Sequence, residues 1–181
     1  KSTIRAKAYY LLAICELDAN RFTQAAEAFS NYVEVNPGVL DLFMYEKAGD
    51  AYSSAADLDT ALTYYSKAVD SAISENTDSV KIKIGQIYAS QLDYTNAIRV
   101  YMEVYDQSTN EYTRAQMNLL TGQAYLMLGL PEQAYARFQE SVLNYPKSFD
   151  TYSGLVVLVE EGIEVDEFYR GLVDYYAGRY G

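Results

Sequence analysis

Glu140 and Ser141 come nearest to a catalytic pair in this chain of 181 residues. A carboxyl placed beside a reacting bond can act as acid and then as base. The dipeptide lies between Phe138 and Val142, in text with helical spacing and no framing motif, so a solvated helix position is expected. Glu160-Glu161 reads as a helix end, and Asp57 with Asp59 as a turn. The chain has no histidine, which removes His-based triads, His metal sites and the usual near-neutral proton shuttle. Cys15 is its only cysteine, so no disulfide can form within the chain. It sits among Leu12, Ala13, Ile14 and Leu17, which predicts a buried, inert thiol. No EF-hand loop, Gly-rich phosphate loop or cysteine cluster is present. The expectation is a chain without catalytic residues, metal or cofactor.

Charge narrows the partners. There are 25 acidic against 14 basic side chains, a net charge of −11. Such a surface repels phosphate backbones and anionic membranes, and no stretch supplies a basic patch. Nucleic acid is therefore not an expected partner. Nor is membrane insertion, because the densest apolar run, residues 155–159, is far short of the roughly 18 residues a span needs. Half of the residues are apolar, which is enough for a core.

What positions these residues is a repeat. The segments LDANRFTQAAEAF (17–29), AADLDTALTYY (55–65), SQLDYTNAIRVY (90–101) and MLGLPEQAYARF (127–138) share a polar turn, an Ala and an aromatic four residues later. The pairs are Ala25 with Phe29, Ala61 with Tyr65, Ala97 with Tyr101 and Ala134 with Phe138. Their alanines lie 36, 36 and 37 residues apart. Twelve residues before each alanine stands a small residue: Ala13, Gly49, Gly85 and Gly122. Apolar positions three and four apart, such as Tyr9, Leu12 and Ala13 or Ile84, Ile87 and Tyr88, predict one packed face per helix. A glycine within a helix is costly, so Gly49, Gly85 and Gly122 imply close approach of a second helix. Lys83 is expected on an exposed face.

The pattern resembles the tetratricopeptide repeat, with its Gly, aromatic, Ala-x3-aromatic and Pro in fixed register. The resemblance implies an all-α fold, a right-handed superhelix (solenoid) of antiparallel helix pairs. The expected pairs are 6–39, 42–75, 78–111 and 115–148, followed by an extra helix at 149–162. The stretch 165–181 then reads as the first helix of a fifth pair. Gly171 stands in it where Gly85 and Gly122 stand in theirs, and Gly178-Arg179-Tyr180 parallels Asn20-Arg21-Phe22. The chain thus reads as a domain of a longer protein, with self-association through its C-terminal end as one consequence.

The same resemblance implies function. First helices of such pairs line a concave face that takes a peptide or a partner helix. Carried onto this sequence, the candidate contacts are Tyr10, Ile14, Phe43, Glu46, Asp50, Ile82, Gln86, Leu119 and Gln123. Family members that clamp a terminal carboxylate use Lys, Arg and Asn there. Ile14, Glu46, Asp50 and Ile82 point instead to an apolar or weakly basic protein or peptide, or to another domain of the same polypeptide. Of the 20 tyrosines, Tyr9, Tyr45, Tyr52, Tyr65, Tyr88, Tyr94, Tyr101 and Tyr125 fall on core positions of the repeat. Tyr10, Tyr64, Tyr105, Tyr112 and Tyr135 fall elsewhere and are left as candidates for contact. The last 37 residues are also similar to the helical region of bacterial soluble lytic transglycosylases. That similarity implies a non-catalytic part of a peptidoglycan-cleaving enzyme of the cell envelope. Without it, the expected compartment is the cytoplasm.

Overall fold

A computed structural model describes residues 2–73 and 75–179. Tyr180 of the expected fifth turn lies outside the described residues. Ten helices form among them: α1 (Ser2–Asp18), α2 (Phe22–Val35), α3 (Asp41–Ser54), α4 (Leu58–Ser71), α5 (Asp78–Ser90), α6 (Tyr94–Gln107), α7 (Glu111–Met127), α8 (Pro131–Asn144), α9 (Phe149–Glu160) and α10 (Glu167–Tyr176).

Left-handed residues punctuate them. Asn20, Ala56, Leu92 and Gly129 end α1, α3, α5 and α7 with φ of 56°, 60°, 62° and 72°. In each case the next amide donates to the carbonyl five residues back, as Arg21 does to Glu16 and Leu130 to Tyr125. This closure satisfies carbonyls that a helix end leaves open. Only Gly129 takes the conformation without a side-chain penalty. The following helices start on Asp57, whose carboxylate accepts from the Thr60 amide, on Asp93, which accepts from Asn96, and at Pro131 in the first turn of α8.

The chain forms two compact units, Lys1–Ile87 and Tyr88–Gly181. In the first, α1 packs on α2, α2 on α3 and α3 on α4. Ala13, Ala25, Phe29, Ala48 and Ala61 are fully enclosed. Tyr65 of α4 joins Val80 and Ile87 of α5 in a second cluster. A β-carbon on Gly49 would stand 2.5 Å from Tyr65 Cε1, so only glycine admits this crossing.

In the second unit, α6 packs on α7, α7 on α8, and α9 on both α7 and α8. Ala97 and Ala134 are fully buried. Gly122 receives the Phe138 ring, with a would-be β-carbon 2.2 Å from Cε1, and a β-carbon on Gly154 of α9 would stand 3.0 Å from Cδ1 of the same ring. The β-branched run 155–159 is helical, capped where Ser148 accepts from the Asp150 amide. Leu155 and Leu158 carry it into the core.

Two expectations need correction. Cys15 and Leu12 are exposed. α1 is apolar on more than one side, and Ala6, Ala13 and Tyr9 take the inner one. Lys83 is not on a free face, as shown next.

Candidate functional site

In the first unit, two carboxylates and one ammonium group from α3 and α5 converge. Lys83 Nζ lies 2.7 Å from Glu46 Oε1 and 2.6 Å from Asp50 Oδ1. The Tyr65 hydroxyl donates to Asp50 Oδ1 at 2.9 Å, and Lys47 Nζ donates to Oδ2 at 3.1 Å. Burial pushes the Asp50 carboxyl up, but hydrogen bonds from Lys83, Tyr65 and Lys47 and the Lys83 charge hold it below its ordinary value. Burial lowers Lys83, and Asp50 and Glu46 more than reverse that. Burial, followed by the Asp50 charge, raises the Tyr65 phenol strongly. The cluster is charge-compensated within the unit, so Glu46 and Asp50 are not open carboxylates awaiting a basic ligand.

Beside it lies an apolar pocket of about 360 Å³, lined by Lys7, Tyr10 and Leu11 of α1, Tyr32 of α2, Leu40, and Phe43 and Met44 of α3. The Gly38 amide donates to the Asp41 carboxylate at 2.9 Å, which shapes the turn carrying Leu40. Leu11 is 63% and Phe43 39% exposed, although both are large and apolar. Lys47 Nζ stands 5.6 Å from the Phe43 ring centre. Tyr10 leans edge-on against Phe29 at 6.4 Å. Of the other contacts expected from the sequence, Ile14 is half-buried against the core, Ile82 is half-buried, and Gln86 is exposed. In the second unit Leu119 packs on the core and Gln123 is exposed. The structure thus brings Tyr10 and Phe43 to one pocket and Glu46 and Asp50 to one ion cluster.

Glu140 and Ser141 are both engaged. The Tyr105 hydroxyl donates to Glu140 Oε1, Arg137 Nη1 lies 2.9 Å from Oε2, and Asn118 Nδ2 donates to the buried Ser141 hydroxyl at 3.1 Å. Tyr105 is also 2.9 Å from the Tyr145 hydroxyl. Burial first, and Glu140 second, raise its phenol. Tyr64 stacks on Tyr52 at 5.1 Å and bonds Ser30. Tyr64 and Tyr105 are therefore internal struts, whereas Tyr112 stays exposed. Among the described residues no group of three or more Cys, Asp or Glu side chains is placed to hold a metal ion, and no helix is long and apolar enough to cross a membrane.

Lys83, Leu11 and Leu40 were not among the residues expected at the site. A signal for Lys83 exists: it follows Asp50 by 33 residues and Glu46 by 37, which straddle the 36-residue period.

Residues 7–38 and 117–148 match the tetratricopeptide repeat family. They overlap the first and fourth helix pairs. No curated protein matches the chain. Among solved structures it is similar to one from the functional characterization of Pseudomonas aeruginosa PilF, with 20% identity, 99% of this chain and 78% of that chain covered, and a TM-score of 0.63. An RS-1 MamA double mutant gives 16% identity, 96% and 95% coverage and 0.66. A crystal structure of MamA gives 15%, 93% and 91%, and 0.63. At these identities the likeness is one of fold. The comparisons lend no support to the similarity with lytic transglycosylases. Residues 7–38 and 117–148 are thus tetratricopeptide repeats, carried on an all-α, helical-repeat fold.

Proposed function

We propose that this chain is a non-catalytic interaction scaffold that binds a peptide or protein through its first helices. Its helix pairs are 6–39, 42–75, 78–111 and 115–148. The observation that carries the reading is the pocket where Tyr10 and Phe43 meet Leu11 and Leu40. An open apolar concavity with one cation at its edge suits an apolar side chain flanked by a carboxylate, with Lys7 facing the acid. Glu46 and Asp50 contribute shape and rigidity, because Lys83 and Lys47 together already neutralise them. Ile82, Gln86, Leu119 and Gln123 remain candidate contacts in the same role. No enzymatic step is assigned, since Glu140 and Ser141 serve the packing of α6, α7 and α8.

The test is selection of a random 12-residue peptide library on the whole protein. Enriched peptides should carry an apolar anchor next to Asp or Glu. They should lose about tenfold or more in affinity on Phe43→Ala, as truncation of a central anchor does. Enrichment that is indifferent to Phe43→Ala and Tyr10→Ala would remove the pocket from the function.

A further inference from the structure

Leu92 is the residue least suited to its place. It follows α5 in the left-handed region, at φ 62°. Asn20, Ala56 and Gly129 hold the equivalent position after α1, α3 and α7. Glycine takes that conformation freely and asparagine often, but a bulky side chain there is a genuine outlier. Leu92 is nevertheless 72% exposed, so its side chain does not offset the strain by filling the core. A strained residue that serves nothing inside the fold points to a role outside it.

Leu92 has apolar company. Met102 of α6 lies 3.9 Å from Arg137 of α8, and Tyr105 of α6 bonds Glu140 of α8. Both contacts span 35 residues, so α6 and α8 run side by side in the same direction. The turn before α6 therefore lies beside the turn before α8, both in the second unit. That second turn carries Met127, 64% exposed, with Leu128 and Leu130 exposed beside it. Four large apolar side chains thus share a rim, where the turns of the first unit place Asn20 and Ala56. Grouped exposed apolar side chains mark interaction sites, as single ones do not. The rim is also acidic. Residues 91–95 and 126–133 hold Asp93 and Glu132 but no Lys or Arg. Residues 145–148 alone join α8 to α9, and the two helices pack together, so Glu160 and Glu161 reach the same rim. Among the described residues no Lys or Arg lies within ion-pair distance of these four carboxylates.

We propose that the paired turns before α6 and α8 form a docking rim for a basic amphipathic helix of a partner protein. The apolar face of that helix covers Leu92, Met127, Leu128 and Leu130. Its Lys or Arg side chains meet Asp93, Glu132, Glu160 and Glu161. Met and Leu side chains adapt to the ridged apolar face of a helix. A second copy of this chain is the poorer occupant, because each copy brings a net charge of −11. An anionic membrane surface is poorer for the same reason. The rim belongs to the other unit from Tyr10 and Phe43, and it stands whether or not their pocket binds.

The probe is a fluorescent peptide of about 14 residues, built of Leu and Lys so that its leucines share one helix face. A control peptide of the same composition spreads its leucines round the helix. Titrated with the whole protein, the first peptide should bind saturably and slow hydrogen exchange at amides 92–94 and 128–130. The control should bind about tenfold or more weakly. Leu92→Asn should weaken the first peptide about tenfold or more, yet raise the thermal midpoint, because asparagine accepts the left-handed turn. Glu132→Gln with Glu160→Gln should weaken binding at low salt. Phe43→Ala, which breaks the first-unit pocket, should leave this titration unchanged. No saturation up to about 1 mM peptide, the limit of useful specific affinity, overturns the proposal. Equal affinity for the control peptide, or for Leu92→Asn, does the same. So does a midpoint lowered by Leu92→Asn, since the leucine would then be packing inside the protein. Dimers of the free protein that Leu92→Asn dissolves overturn it in favour of a second copy. Binding to phosphatidylcholine vesicles that Leu92→Asn abolishes overturns it in favour of a membrane.

Discussion

The two units seat an aromatic ring on a glycine in the same register, but they surround the ring differently. In the first, the ring belongs to a tyrosine, and its hydroxyl donates to Asp50, a carboxylate that Lys83 and Lys47 also hold. In the second, the ring is Phe138, enclosed by Gly122 and Gly154, with no polar atom to satisfy. The steric demand is common to both. The polar cluster is an addition that a tyrosine makes necessary, because a buried hydroxyl without a partner is costly. The shared glycine should therefore matter in both units, and the ions in one.

The largest effect should come from the glycines. Gly122→Ala drives a β-carbon into a ring that Gly154 also touches, and the expected cost is about 2–3 kcal/mol of overpacking. Gly49→Ala meets one ring with a freer edge and should cost less. Urea midpoints of the two variants check the order. Equal, near-wild-type midpoints would show that neither ring is fixed.

Next comes Lys83→Ala. It strips the counter-charge from Glu46 and leaves Asp50 with Lys47 alone. Removing one partner of a buried pair costs several kcal/mol, but Lys83 and Asp50 side chains are each 31% exposed, so solvent reduces this to about 1–2 kcal/mol. Asp50→Asn combined with Lys83→Ala should cost less than the sum of the two. Strict additivity in that cycle would dissolve the cluster as a unit.

How far the sequence disclosed this is visible in particular residues. Ala25, Ala61, Ala97 and Ala134 are all fully buried, as their register requires. Gly49 and Gly122 make the close approaches expected of them. These were legible because a repeat states the same steric demand several times. Cys15 was misread because α1 is apolar on more than one side, and periodicity does not say which side meets α2. Lys83 was misread because a charged side chain between isoleucines looks solvated until its partners, a repeat away, are placed beside it. Tyr64 and Tyr105 fell off the signature positions and still became struts, since a ring finds partners wherever helices meet. The pocket of Tyr10 and Phe43 depends on the turn at residues 37–40, whose shape the spacing did not convey.

The ion cluster also sets a smaller, pH-dependent difference between the units. Asp50 is held below its ordinary carboxylate value, so its contribution is present above about pH 4 and is lost as pH falls through the lowered value. Lys83 and Tyr65 are raised, so theirs is present below about pH 10 and is lost as pH rises through the raised values. Stability should be greatest between these limits. Asp50→Asn should flatten the acid limb while leaving the exchange protection of α8 and α9 unaltered. An unchanged acid limb would mean that Asp50 is solvated in the folded state.

The smallest effect has the opposite sign. Gly171 shares its register with Gly122, but its β-carbon would enter open space. In the isolated protein, Gly171→Ala therefore removes only the backbone entropy that glycine loses on entering a helix. The expected gain is about 0.5–1 kcal/mol, where Gly122→Ala shows a loss. The measurement is local hydrogen exchange in α10 together with the thermal midpoint. Slower exchange at 168–176 with a midpoint at or above wild type is the expected result. Destabilisation by an alanine that touches nothing would mean that α10 already packs its glycine face against another molecule in solution, and the contrast between the two glycines would disappear.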